Sequence, residues 1–174
     1  MKENKPNSVL IVDDWEINLG ILTNILSPDY TVYTATNGTG GIREAEKHLP
    51  DVILLDILMP ERDGYTVLTA LKNSDKTRHI PVIFITGLDN VDNEEKGLVL
   101  GAADYITKPF SNSVVKLRVA NQIKISNLEK EKKSIAEKLE KDLAAIRWAQ
   151  EIHGENPEML DALSEAEKTL ERLR

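Results

Sequence analysis

The sequence predicts an α/β fold: a doubly wound, five-stranded parallel sheet with an α-helical C-terminal extension. Three observations predict it. Short apolar runs at Val9–Val12, Val52–Leu55 and Pro81–Thr86 read as strands buried on both faces. Strand-like and helix-like stretches alternate five times, which implies a parallel sheet with helices on both faces and right-handed crossovers. From Ser111 no Gly or Pro appears until Gly154, so a long helix follows the sheet.

Length and charge narrow the class. The chain has 174 residues, room for one domain and an appendage. Its formal net charge is −7, which does not suggest a nucleic-acid surface. It has no cysteine, which excludes disulfides and thiol chemistry. No apolar run approaches the roughly 18 residues of a membrane span. The opening MKENKPNS is too short and polar for a signal peptide. The expectation is a cytoplasmic protein with no nucleic-acid and no membrane partner.

Residues 1–7 read as a disordered polar start. Val9 to Val12 forms the first strand, ended by Asp13-Asp14. In the next helix Ile17, Ile21, Leu22 and Ile25 are expected to share the buried face. Ser27-Pro28-Asp29 stops it. Tyr30 to Ala35 alternates and is β-branched, which suits a more exposed, edge-like strand. Asn37-Gly38 reads as a turn, and Gly41 to Leu49 as a short helix ending at Pro50. Val52 to Leu55 is the central strand. A loop from Met59 to Gly64 leads into a helix over Tyr65–Lys72 and a buried strand over Pro81–Thr86. A weakly patterned helix over Val91–Leu100 is closed by Gly101, and Asp104–Ile106 is the last short strand.

The sheet domain is expected to span 8–124 and a helical tail 125–174. Ser111 or Asn112 caps the start of the long helix. Ile125, Leu128, Ile135, Leu139, Ile146 and Ala149 follow alternating steps of three and four, with misses at Lys132 and Asp142. That is an imperfect heptad seam, and Leu143 and Trp148 lie beside it. The helix is expected to run to about Ile152, roughly 60 Å at 1.5 Å per residue. Its seam is too long for a domain of this size to bury. A turn follows over 153–156, where Asn156-Pro157 gives an N-cap and a proline at the first helical position. A second helix over 157–174 carries Leu163, Ala166, Leu170 and Leu173 at three-four spacing.

The strand ends carry the chemistry. Asp13 and Asp14 end the first run, Asp56 the central one and Thr86 a later one, and Lys108 lies just past the last. Open α/β sheets bind ligands at this carboxyl rim. Three carboxylates there disfavour joint ionisation, so a cation or a raised pKa must relieve them. Oxygen ligands without nitrogens suit Mg²⁺. A carboxylate cleft with one lysine fits phosphoryl transfer. A central carboxylate, best of all Asp56, can be the nucleophile and form an acyl phosphate. Taken singly, each residue has an ordinary explanation. Asp13 or Asp14 is equally a helix N-cap, Thr86 a loop cap, Lys108 a solvated lysine and Tyr105 a core residue. His48, His79 and His153 read as surface residues without a carboxylate or hydroxyl partner.

The motifs VLIVDD, LLDILMPERDG, IFITG and DYITKPF stand in that order. Over residues 8 to about 124 the chain resembles the CheY-like receiver domain of two-component response regulators. The resemblance implies a flavodoxin-like sheet in strand order 2-1-3-4-5 flanked by five helices. It implies that Asp56 accepts a phosphoryl group from a histidine kinase or phosphotransfer protein. Asp13, Asp14, Asp56 and the Leu58 backbone carbonyl would hold Mg²⁺, directly or through water. Lys108 would pair with the phosphoryl oxygens. Thr86 would hydrogen-bond the phosphoryl group and move towards it, and Tyr105, the switch aromatic, would turn inward. Lys108-Pro109 is expected to be cis, and Gly64 to fit the tight loop after the central strand.

Trp15 departs from the family's polar or acidic residue; its ring either covers part of the metal site or offers a partner surface. Leu58 and Leu88 lie two residues beyond Asp56 and Thr86. Neither side chain orients an attacking water, so slow autodephosphorylation is expected. The tail lacks the length and basic clustering of a DNA reader. The expected output is therefore oligomerisation or protein–protein contact: a homodimer through the tail or through the face of the fourth helix, fifth strand and fifth helix. The chain is not expected to be an enzyme beyond accepting phosphate and slowly losing it. An alternative is the regulatory front of a larger cyclase, phosphatase or kinase. A free-standing phosphohydrolase would need an acid two residues after its nucleophile, and Asp13-Asp14-Trp15 and Asp56-Ile57-Leu58 both lack it.

Overall fold

The computed structural model describes residues 7–60, 63–87, 97–153 and 157–173, with side chains up to 148 and from 160. Five parallel strands form one sheet: β1 (Ser8–Val12), β2 (Thr31–Ala35), β3 (Val52–Asp56), β4 (Val82–Thr86) and β5 (Asp104–Thr107). Their order is β2-β1-β3-β4-β5, as expected. The helices are α1 (Glu16–Leu26), α2 (Gly38–His48), α3 (Gly64–Asn73), α4 (Asn112–His153) and α5 (Pro157–Leu173). No helix among the described residues is long and apolar enough to cross a membrane.

The apolar runs explain the layering. Every residue of β1, β3 and β4 is buried, whereas the edge strand β2 is mostly half-exposed. Side chains alternate across the sheet. Leu10, Val12, Ile53, Leu55, Val82 and Phe84 pack with Ala45 of α2 and Val67, Leu68 and Leu71 of α3. Val9, Ile11, Val52, Leu54, Ile83 and Ile85 pack on the other face, with Leu19, Leu22, Ile25 and Leu26 of α1 and Val115, Val119 and Ile123 of α4. A one-residue register slip would exchange the two faces, so this pattern fixes the strand ends that build the site.

Two local expectations are corrected. Ile17 and Ile21 are 70% and 44% exposed, and Leu19 and Leu26 take their places in the core with Leu22 and Ile25. The buried stripe runs 19-22-26 in steps of three and four, which turns Ile17 and Ile21 towards solvent. Asn37-Gly38 is not a free turn: α2 begins at Gly38, three residues earlier than expected. The Asn37 side chain accepts the Gly40 N–H at 2.7 Å and caps the helix. Of the helix expected over Val91–Leu100, 91–96 lie outside the described residues; 97–99 are helical. Gly101 follows at φ +96°, a left-handed conformation suited to glycine.

The chain divides into two compact units, Met1–Ser126 and Asn127–Arg174. Ser111 caps α4, its hydroxyl accepting the Val114 N–H at 3.3 Å. Within the second unit, α5 and the last part of α4 pair through buried Leu143, Leu163 and Leu170, with Ala136, Leu139, Ile146 and Ala166 against them. Arg147 and Glu167 form an ion pair between the helices. The second helix covers part of the expected seam. Only Leu139 and Ile146 of its described members join this core, Ile125, Leu128 and Ile135 are exposed, and Leu143 is buried. Ala149 lies outside the described side chains. The limit is length: α5 has 17 residues and spans about 25 Å, enough to cover the last part of α4 only as far back as about Ala136. The contact uses positions 136, 139, 143 and 146, steps of three, four and three.

Candidate functional site

Strand register brings the predicted residues together. Val12 pairs with Leu55, so Asp13 follows β1 beside Asp56 at the end of β3. Thr86 pairs with Thr107, so Lys108 follows β5 at the same rim. Asp13, Asp14 and Asp56 place carboxylate oxygens within 4.8 Å of one another. Lys108 Nζ donates to Asp56 Oδ2 at 2.8 Å and to Asp13 Oδ2 at 3.0 Å. The Lys108 N–H donates to the Thr86 carbonyl at 2.7 Å, which ties the lysine's backbone to β4. Thr86 is fully buried, and the Lys108-Pro109 peptide is cis, as expected.

The three acids are not equivalent. Asp13 is 1% exposed. Its Oδ1 accepts the Trp15 N–H at 2.9 Å and Asn18 Nδ2 at 3.1 Å, and its Oδ2 accepts Asn18 Nδ2 at 3.0 Å and Lys108. Asp56 accepts Lys108 on Oδ2 and, at a long 3.4 Å, the Leu58 N–H on Oδ1. Asp14 is half-buried and takes no hydrogen bond among the described residues. Burial pushes the Asp56 carboxyl above the usual carboxylate range, against the opposing pull of Lys108. Burial alone would lower the Lys108 ammonium, but its bonds to Asp56 and Asp13 outweigh that and raise it. Three carboxylates facing one ammonium leave an excess of negative charge at the rim when all are ionised. A hard dication at clustered oxygens relieves the same excess, and the donor set fits Mg²⁺.

Gly64 fixes the floor of the site. Its N–H donates to the Ile57 carbonyl at 2.9 Å, and a Cβ there would lie 2.4 Å from the Asp56 carbonyl oxygen. Only glycine lets the start of α3 approach the end of β3 so closely. Asp63 caps α3, its side chain accepting the Thr66 N–H at 2.7 Å.

A family model described as "response regulator receiver domain" matches residues 9–120, well over half the chain. The chain belongs to the response regulator receiver family. The receiver is 44% identical over 112 residues to response regulator PleD of Caulobacter vibrioides, covering 64% of this chain and 25% of that protein. It is 39% identical over 119 residues to a probable cyclic di-GMP phosphodiesterase of Vibrio cholerae, covering 68% of this chain and 27% of that one. The chain thus spans about a quarter of the length of these relatives. Among solved structures, a putative response regulator from Chloroflexus aurantiacus J-10-fl superposes with a TM-score of 0.65 at 32% identity, over 68% of this chain and 98% of that one.

Around the receiver's acids lies a cleft of about 340 Å³ lined by Asp14, Trp15, Asn18, Asp56, Leu58, Gly87 and Lys108. Trp15 and Leu58 are 63% and 58% exposed, two apolar lips on an acidic floor. Leu88 lies outside the described residues. Tyr105 is buried and meets Phe84 edge-on, ring centroids 5.6 Å apart. His79 is exposed, as expected, and the His153 side chain lies outside the described residues. His48 is corrected. It is half-buried, stacks on Tyr33 at 3.9 Å, and its Nε2 lies 3.2 Å from Glu44 Oε2, one helical turn back on α2. Sequence reasoning also missed Asn18. Its polar side chain at the fifth position after Asp13, one turn into α1, was the available signal.

Proposed function

We propose that this receiver is a phosphorylation switch in which Asp56 accepts a phosphoryl group from a histidine kinase or phosphotransfer protein. The observation that carries the reading is the Lys108 ammonium bridging Asp56 and Asp13 within a three-carboxylate cluster at the carboxyl rim. A carboxylate oxygen of Asp56 attacks phosphorus, the bond to the donor's imidazole nitrogen breaks, and an acyl phosphate forms on Asp56. Asp13, Asp14, Asp56 and the Leu58 carbonyl hold Mg²⁺, which when bound neutralises charge on the phosphoryl oxygens. Lys108 exchanges its bond to Asp56 for one to a phosphoryl oxygen. Thr86 offers its hydroxyl, and its movement biases Tyr105 and β5.

The output runs through protein–protein contact. Exposed Leu128 and Ile135 on α4 leave an apolar strip for a second copy of the chain. Light scattering with Mg²⁺, before and after beryllofluoride, tests this. The expected result is a monomer-to-dimer shift abolished by Asp56→Ala; an unchanged mass rejects phosphorylation-gated pairing. Intact-mass analysis after incubation with acetyl phosphate tests the acceptor itself, with one added phosphoryl group expected and none on Asp56→Ala.

A second reading is favoured by the quarter-length coverage of the relatives: this chain is the regulatory front of a larger enzyme. The full reading frame decides it.

A further inference from the structure

Asp13 is held by donors at both of its carboxylate oxygens. An ionised carboxylate offers about four lone-pair directions. Trp15 N–H, Asn18 Nδ2 and Lys108 Nζ make four contacts to its two oxygens, at 2.9 to 3.1 Å. Two of the four come from one neutral amide. Asn18 lies on α1 and lines the cleft, outside the VLIVDD, LLDILMPERDG, IFITG and DYITKPF motifs.

The clamp has a directional consequence. A single amide nitrogen touching both oxygens stops the carboxylate rotating about its Cβ–Cγ bond. Oδ1 is then held to the Trp15 N–H at the start of α1, and Oδ2 is held towards Lys108 and Asp56. Without the amide, Asp13 keeps one backbone donor and one flexible lysine, and the buried carboxylate is free to turn. Groups that orient a metal's carboxylates typically change metal affinity by about 10–100-fold when removed.

We propose that Asn18 is a positioning residue that orients the Asp13 carboxylate for Mg²⁺ and for Lys108. This rests on the Mg²⁺ site proposed above. Asn18 touches neither the metal nor the phosphoryl group; it acts through Asp13.

The test is a Mg²⁺ titration of the full chain, followed by fluorescence of Trp15 at the cleft, in a Trp148→Phe background that removes the second tryptophan. Asn18→Leu keeps the volume and deletes the donor. Asn18→Gln keeps a donor on a longer arm. The expected result is about tenfold weaker Mg²⁺ binding in Asn18→Leu and partial recovery in Asn18→Gln, with metal-free Tm little changed in either. Unchanged Mg²⁺ affinity in Asn18→Leu overturns the proposal. So does an equal loss in both variants that tracks a fall in metal-free Tm, because that marks a packing role alone. Absence of Mg²⁺ binding by the parent chain would instead overturn the metal site on which the proposal rests.

Discussion

Lys108 Nζ lies 2.8 Å from Asp56 Oδ2, and yet both groups hold their protons more firmly than in water. An isolated ion pair would lower the carboxyl and raise the ammonium. Here burial of Asp56 outweighs the lysine, and Asp13 adds a second negative charge. The resting site thus holds electrostatic tension between a buried acid, its ammonium partner and a second carboxylate.

That tension has a pH signature. With its folded pKa raised, Asp56 binds more protons folded than unfolded between the ordinary 3.8 and the raised value. Stability at this group therefore falls as pH rises through that window and stays reduced at neutral pH. Asp56→Asn is expected to raise Tm over the parent at pH 7, and the gain should vanish below about 3.8, where both states are protonated. Thermal melts by circular dichroism across pH check it; a gain that grows towards acid would contradict the direction.

Gly64→Ala is expected to cost about 2–3 kcal/mol, because a methyl 2.4 Å from the Asp56 carbonyl forces α3 away from β3. The displaced element carries the floor of the acceptor, so phosphoryl uptake should fall as well. Urea unfolding and acetyl phosphate labelling measure the two effects separately.

Leu58→Asn places a polar group at the mouth of the cleft, where the parent has an exposed aliphatic chain. It can orient water towards the acyl phosphate. Loss of label should speed up about tenfold, equivalent to about 1.4 kcal/mol in the barrier, and more when combined with Leu88→Glu. Phosphoprotein lifetime after removal of the donor reads it directly.

Leu163→Ala empties the centre of the contact between α5 and Leu143. A loss of about 2–5 kcal/mol is expected, confined to the Asn127–Arg174 unit. Hydrogen exchange should quicken across α5 while β1, β3 and β4 keep their protection.

The sheet was legible because its chemistry is one-dimensional. Runs such as VILLD declare two-sided burial, and a carboxylate that ends such a run has only the rim to occupy. The same logic placed Asp13, Asp56, Thr86 and Lys108. What escaped was set by geometry across elements. Asn18 reads as an ordinary polar helix residue until α1 is folded against Asp13. Ile17 and Leu19 differ in exposure through a rotation that two neighbouring apolar residues do not encode. Leu143 looked peripheral because a heptad count cannot know where a 17-residue partner stops.

Tyr65, Phe84 and Tyr105 meet successively edge-to-face, centroids 5.4 and 5.6 Å apart, from α3 through β4 to β5. Each ring sits in the magnetic anisotropy of the next. A turn of Tyr105 alters the shielding of Phe84 at once and of Tyr65 at one remove, so the proton resonances of three rings form a built-in spectroscopic gauge. Reading it requires no label, no partner and no assay of output.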